Sequence, residues 1–226
     1  MLKLERMFSL SKRASVKRLT TVAVILPTLA LFISSFIWTS SIELKIGKKA
    51  PMMDSKMTGI DGKNLSLTDA MGEKGLLVVF SCNTCPFVVG SSKFDGWEVQ
   101  YNDLHKMAKA NGLEMVLINS NEAKRGNDDS MNEMKNRALE KGYTMPYLVD
   151  EGSALADAFG AKTTPHLFIL APDGKLLFRG SIDNSWDSNR KTDENYAQDA
   201  ITALGQNKKL KTKTSEPRGC SIKRAK

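Results

Sequence analysis

The sequence predicts one α/β domain, a central mixed sheet with helices on both sides, preceded by one N-terminal membrane-directed helix. Three observations carry this. The continuous apolar run Leu76–Phe80 and a second, largely apolar stretch, Leu113–Ser120, are separated by a helical stretch, the pattern of parallel buried strands. A later pair of runs, Pro165–Leu170 and Leu176–Gly180, flanks the turn "APDGK", as an antiparallel hairpin does. Finally, no charged residue occurs from Leu19 to Ile42, a length that can cross a hydrocarbon core of about 30 Å as a helix.

The order of elements follows from local signals. Residues 1–19 form a basic N-terminus and 20–42 an anchor or signal segment. Residues 43–206 form the folded domain, and 207–226 a basic tail that contains Cys220 and is expected to be mobile. Within the domain, "GIDGKNLSL" reads as a hairpin turned at Asp61–Gly62, and "LTDAMGEKG" as a short helix. Gly90 and Gly96 interrupt the stretch after Pro86. Trp97, Tyr101, Leu104 and Ala108 then recur at helical spacing as far as Gly112, which predicts a kinked or two-part helix. "DDSMNEMKNRALEKG" has acidic residues first, basic residues late and glycine last, a helix by charge and stop signal. "YTMPYLVD" reads as extended, "SALADAFG" as a one- to two-turn helix and "DENYAQDAITALGQ" as a closing amphipathic helix.

The net charge of +8 suggests a nucleic-acid binder until it is located. Residues 1–18 carry +5 and residues 208–226 carry +7, leaving the body at −4. A surface that tracks phosphates needs its basic stripe on the folded body, so the charge argues against nucleic acid. With Lys3, Arg6, Lys12, Arg13, Lys17 and Arg18 ahead of the apolar span against Glu5 alone, the N-terminus is expected in the cytoplasm and the domain outside it. A retained single-pass anchor in the cytoplasmic membrane is favoured, because the apolar run exceeds a signal-peptide core and no clear Ala-x-Ala site follows. Cleavage to a secreted or periplasmic form is the alternative.

Cys82 and Cys85 stand two residues apart where a buried strand ends, in a chain with one other cysteine. Such a pair can be a redox-active disulfide, half of a zinc site, or two small buried residues. At a strand-to-helix junction, unpaired backbone N–H groups favour a thiolate on Cys82. Cys85 would lie within one helical turn, able to resolve a mixed disulfide. A structural zinc site wants four ligands, commonly a second close pair, and the remaining candidates, His105, His166 and Cys220, are scattered. No metal or organic cofactor is required by the redox reading, since the electrons reside in the dithiol. His166 is a candidate for tuning the thiolate, Trp97 and Trp186 read as packing, and the charge-rich "NEAKRGNDDS" reads as a solvated loop.

"CNTCPFV", "VLINSNE", "MPYLVDEGSALADAFGAKTTPHLFIL", "DGKLLFRGSID" and "GCSIK" occur in this order from about Gly47 to the C-terminus. Together they resemble the thioredoxin-like branch of the AhpC/TSA (redoxin) family. The resemblance implies a thioredoxin-like three-layer α/β/α sandwich and a thiol–disulfide oxidoreductase in which Cys82 attacks and Cys85 resolves. It further implies that Thr164–Pro165 is a cis-proline turn facing the cysteines and presenting backbone to an extended protein substrate. An upstream thiol donor is the other expected partner. The "GCSIK" ending resembles that of other members of the branch and implies an accessory part for Cys220.

There are departures. Thioredoxin has Trp before its first cysteine and Gly-Pro between the two, where this chain has Ser81 and Asn83–Thr84. The family also includes thiol peroxidases, whose usual motif places a Thr or Ser hydroxyl three residues before the cysteine. Here Val79 and Cys82 hold those positions, so peroxidase is the alternative reading, and a redox-silent binding module with the same fold is another.

Overall fold

The computed structural model describes residues 43–225. The predicted membrane segment, residues 20–42, and the basic N-terminus lie outside them. Among the described residues, no helix is long and apolar enough to cross a membrane.

The organising element is the strand β3 (Gly75–Ser81), "GLLVVFS", buried along its whole length. Its alternating side chains feed two cores: Leu77 and Val79 pack on one face, Leu76, Val78 and Phe80 on the other. A run of β-branched and large apolar residues with no polar face is what a central strand covered on both sides demands. On one side β3 pairs in parallel with β4 (Leu113–Asn119), and β4 with β5 (Tyr147–Val149). On the other it pairs antiparallel with β7 (His166–Leu170), which turns into β8 (Leu176–Gly180). The five-stranded sheet, in the order β5-β4-β3-β7-β8, is therefore mixed. Two smaller pairings complete the strands. β1 (Met57–Thr58) and β2 (Asn64–Leu65) form the predicted hairpin around Asp61–Gly62. β6 (Thr163–Thr164) pairs with β9 (Cys220–Ser221).

Helices cover both faces. Against one core lie α2 (Tyr101–Ala110), through Tyr101, Leu104 and Ala108, α3 (Met131–Lys141), through Met134, and α5 (Tyr196–Gly205), through Ala197, Ala200 and Ile201. Against the other lies α4 (Ala154–Phe159), through Leu155, Ala156 and Phe159. The stretch after Cys85 is broken as its glycines suggested: α1 (Pro86–Val89) stops at Gly90, and a 3-10 turn, Trp97–Gln100, leads into α2. At α3 the cap is Ser130, whose hydroxyl accepts the Glu133 N–H, and the stop is Gly142 in the left-handed region.

Three expectations are corrected. The segment after Leu67 is a turn rather than a helix. Asp69 takes up the N–H and hydroxyl of Ser66, each at 2.7 Å, and this local bonding competes with a helix start. The loop "NEAKRGNDDS" is not merely solvated: Asn121 and Asp129 are buried, and Asp129 is fully so. The tail, expected to be mobile, docks along the body. Ser215 donates its backbone N–H to the Arg179 carbonyl at the β8 edge, and Ile222 is buried in the second core with its N–H on the Lys162 carbonyl. Its positive charge suggests a solvated segment, but the buried Ile222, the sheet edges it pairs with and the polar contacts of Arg218, Lys223 and Arg224 hold it to the body.

Candidate redox site

Beyond Ser81 the chain leaves β3 and makes the loop Cys82–Cys85 before α1 begins at Pro86. The residue that caps α1 is thus Cys85, whose carbonyl accepts from Val88 and Val89, and not Cys82 as the sequence pattern suggested. Both cysteines are 3 % exposed. Facing them is the segment Thr163–Thr164, followed by a cis peptide bond to Pro165. Thr164 touches both sulfurs: its hydroxyl is 3.1 Å from Cys82 Sγ, and its carbonyl accepts the Cys85 thiol at 2.9 Å. Cys220, opposite Thr164 in the β6–β9 register, donates its N–H to Cys85 Sγ at 3.2 Å. All three thiols are free.

The loop is held from below by a buried polar network that sequence reasoning missed. Asp129 accepts the N–H of Asn83 at 2.8 Å and the side-chain amides of Asn119 and Asn121 at 2.7 and 2.9 Å. Tyr147 donates to the Asn83 side chain at 3.0 Å and receives Asn119 at 2.9 Å. Arg125 clamps the ends of the network, donating to the carbonyls of Asn119 and Asp129. A buried carboxylate is tolerated where its oxygens are so satisfied. The available signal was the polar "INSN" closing an otherwise apolar strand. Such a run at a strand end must find partners if it is buried.

These surroundings separate the cysteines. The hydrogen bond from the Cys82 thiol, followed by the thiol and N–H of Cys220 and the N–H of Phe87, brings Cys85 down to about 5 against the opposing effect of burial. Cys82 is pushed upward, first by its bond to Cys85, then by burial and by the Asp129 charge, with Thr164 pulling the other way. The two shifts point the same way, favouring ionisation at Cys85 and protonation at Cys82, and it is the protonated form of Cys85 that donates to the Thr164 carbonyl.

Other candidates are placed elsewhere. His166 is fully buried beside Phe168, in the face of the sheet opposite the cysteines. Its Nδ1 accepts the Lys162 N–H, and burial with the nearby Arg179 and Lys162 charges lowers it to about 3. His105 is occupied by Thr144 and Glu114. Trp97 is buried against Phe87 and Phe94 with its N–H on Asp183. Among the described residues, no cluster of three or more His, Cys, Asp or Glu side chains is arranged to hold a metal ion.

Comparison with known proteins bears on this arrangement. The Redoxin family model matches residues 45–199. The curated thiol-disulfide oxidoreductase ResA of Geobacillus thermodenitrificans is 25% identical over 162 residues, 71% of this chain and 83% of that protein. An uncharacterized conserved protein from Geobacillus kaustophilus superposes with a TM-score of 0.71 at 32% identity, covering 80% of this chain and 93% of that one. Peroxidoxin BcpB from Mycobacterium tuberculosis shares the fold, with a TM-score of 0.53 at 17% identity over 73% of this chain and 98% of that one. With its mixed sheet, its cysteine pair against Thr164 and a family match over most of its length, the chain belongs to the Redoxin family.

Proposed function

We propose that this protein is a thiol–disulfide oxidoreductase in which Cys82 and Cys85 alternate between dithiol and disulfide, acting on protein disulfides outside the cytoplasm. The observation that carries the reading is the position of Thr164, whose hydroxyl and carbonyl contact both sulfurs at 3.1 and 2.9 Å. One residue thus holds the pair at a place where extended backbone can be presented to a partner. Cys82 is the attacking sulfur and Cys85 the resolving one. On attack, the Cys82 proton passes to the Cys85 thiolate across the bond that joins them, and the new Cys82–substrate disulfide releases a substrate thiolate. Cys85, once deprotonated, attacks Cys82 Sγ, closes the Cys82–Cys85 disulfide and frees the reduced substrate. A thiol donor of the same chemical class must then return two electrons.

The family match and the ResA relative support oxidoreductase activity. A peroxidase reading is weaker, because Val79, buried in β3, cannot supply a hydroxyl to a peroxide at Cys82. Export and anchoring rest on the basic residues 1–19 and the uncharged segment 20–42.

Equilibrating the protein in glutathione buffers, with disulfide reduction and peroxide consumption assayed side by side, tests the reading. A reversible Cys82–Cys85 disulfide with reductase turnover is expected. Peroxide turnover at roughly 10⁴ M⁻¹s⁻¹ or more in kcat/KM would reverse the ranking. For location, a membrane-impermeant thiol reagent should label the domain in intact, pre-reduced cells, and labelling only after lysis would place it inside.

A further inference from the structure

The tail reaches the redox pair by a route that leaves Cys220 little freedom. Upstream, Ser181 donates to the Glu216 carbonyl at 2.6 Å and accepts the Arg218 N–H at 3.1 Å, and the Arg218 guanidinium lies 4.3 Å over the Trp186 ring. Downstream, Ile222 is buried, and the Lys223 N–H is received by the Asn121 side chain at 2.8 Å. Arg224 reaches Asp157 and the Ala161 carbonyl. Asn121 also donates to Asp129, so the same side chain ties the tail to the network beneath Cys82. Between these anchors, Cys220 and Ser221 pair with Thr164 and Thr163. An extended segment carrying a cysteine thus lies on the edge where the proposed function requires an extended substrate.

The spacing permits chemistry. With its N–H 3.2 Å from Cys85 Sγ and an N–Cα bond of about 1.46 Å, the Cys220 Cα lies within about 4.7 Å of that sulfur. Its half-buried side chain packs against the cluster that contains both redox cysteines. A disulfide needs Cα atoms about 4.4–6.8 Å apart, a range this approach allows.

We propose that Cys220 is a third redox-active cysteine, held on the substrate edge by β9, to which the oxidised pair passes its disulfide. The inference rests on the Cys82–Cys85 disulfide of the proposed function. In the step, the Cys220 thiolate attacks Cys85 Sγ of that disulfide. The Cys85–Cys220 bond forms as the Cys82–Cys85 bond breaks, and Cys82 leaves as a thiolate and takes up the proton that Cys220 gave up. No electrons are gained or lost overall. Cys82 is left reduced, with the Thr164 hydroxyl beside it, while the oxidising equivalent waits on the tail. Burial, then the bond to Cys85 and the Cys85 charge, hold Cys220 at about 11 in the reduced protein. Oxidation of Cys85 abolishes its charge, so the restraint on Cys220 relaxes in the state in which it must attack. While β9 is seated, a protein substrate cannot pair with Thr163–Thr164, so the tail and the substrate exclude each other.

The test uses the full chain, solubilised in mild detergent, equilibrated in glutathione buffers, quenched in acid, alkylated and digested with trypsin. Cys82 and Cys85 leave together on the peptide Gly75–Lys93 and Cys220 on Gly219–Lys223. Expected is a fraction of the wild-type chain with these peptides linked, the link assigned to Cys85 by fragmentation. Cys82→Ser should give the same link as its main oxidised form, and Cys85→Ser at least tenfold less. Equal linking in the two variants would mean random collisions of the tail and overturn the proposal. So would a wild-type chain that forms the Cys82–Cys85 disulfide but no linked peptide at any buffer ratio, and that result leaves the proposed function standing. A wild-type chain that forms no reversible Cys82–Cys85 disulfide refutes both. The wild-type mapping decides the matter even if a serine variant fails to fold.

Discussion

Gly219 passes so close to Thr164 that a methyl group in place of its hydrogen would collide with the Thr164 carbonyl oxygen. That carbonyl also accepts the Cys85 thiol, so the glycine that seats the tail and the Cys85 sulfur converge on one oxygen. The backbone of Thr164 cannot retreat, because β7 follows directly after Pro165 and is buried throughout. Gly219→Ala should therefore unseat β9 rather than shift β6. The expected cost is about 1–3 kcal/mol, read as a lower denaturant midpoint. The Cys85 thiolate should become less favourable at the same time, since it loses the Cys220 N–H. A Gly219→Ala variant with unchanged midpoint and unchanged thiol titration would mean the tail docking contributes nothing.

The reduced pair should titrate unevenly. Thiolate absorbance near 240 nm should report one thiolate forming with a midpoint near pH 5, the Cys85 value, and a second only above the ordinary cysteine range, since Cys82 is pushed up. The sign for stability follows by linkage. A lowered Cys85 contributes stability that is complete above its unfolded value of 9.0 and is lost as pH falls through about 5. The reduced protein should therefore gain stability from pH 5 to 9, and Cys85→Ser should flatten that rise. A raised Cys82 acts in the opposite direction above pH 9, so the gain should not continue there. Equal midpoints for the two sulfurs would contradict the separation described.

Much of this was legible in the sequence, and the reasons differ by element. β3 and β4 could be read because a central strand covered on both faces is apolar along most of its length, as "LLVVF" and the middle of "LEMVLIN" are. The cysteine pair stood out by its spacing at the end of an apolar run, whereas Thr164–Pro165 was legible only through family resemblance. The polar network was not, because Asp129 lies in a loop whose composition is that of solvated chain. Only the fold brings Asn119, Asn121 and Asn83 around its oxygens. The tail was misjudged for a related reason. Charge locates a segment near water, but Ile222 and the free edge at Thr163–Thr164 decide whether it binds. His166, next to the proline in sequence, alternates to the far face because successive strand residues do.

Asp129→Ala should separate structure from electrostatics. Removing the carboxylate takes the acceptor from the half-buried Asn83 N–H, from the Asn121 amide and from one of the two bonds of the Asn119 amide, and a buried donor left unpaired costs about 1–3 kcal/mol. A total of about 3 kcal/mol or more is expected by urea denaturation. Because the Asp129 charge opposes ionisation of Cys82, the second thiolate should also appear at lower pH in the variant. A destabilised protein with an unmoved Cys82 titration would leave Asp129 as a support for the loop only.

The order of attack is tested by trapping. Cys82 follows the strand end and lies beside the Thr164 hydroxyl and the Asn83–Asp129 loop, whereas Cys85 is held by the Thr164 carbonyl and the Cys220 N–H. The proposed order makes Cys82 the sulfur that attacks the substrate disulfide. Cys85→Ser keeps that nucleophile and removes its nearest resolver, so mixed disulfides with partner proteins should accumulate at Cys82, visible as bands that collapse on reduction. Cys220 lies opposite Thr164 and against Cys85, so it should clear these adducts slowly, and Cys85→Ser/Cys220→Ser should trap no less than Cys85→Ser. Cys82→Ser should trap little, because a mixed disulfide formed on Cys85 is attacked by the adjacent Cys220, which releases the partner as a thiol. If Cys82→Ser traps as much as Cys85→Ser, the roles of the two cysteines are reversed. If neither traps, Thr164 holds two thiols that do not exchange with protein disulfides at all.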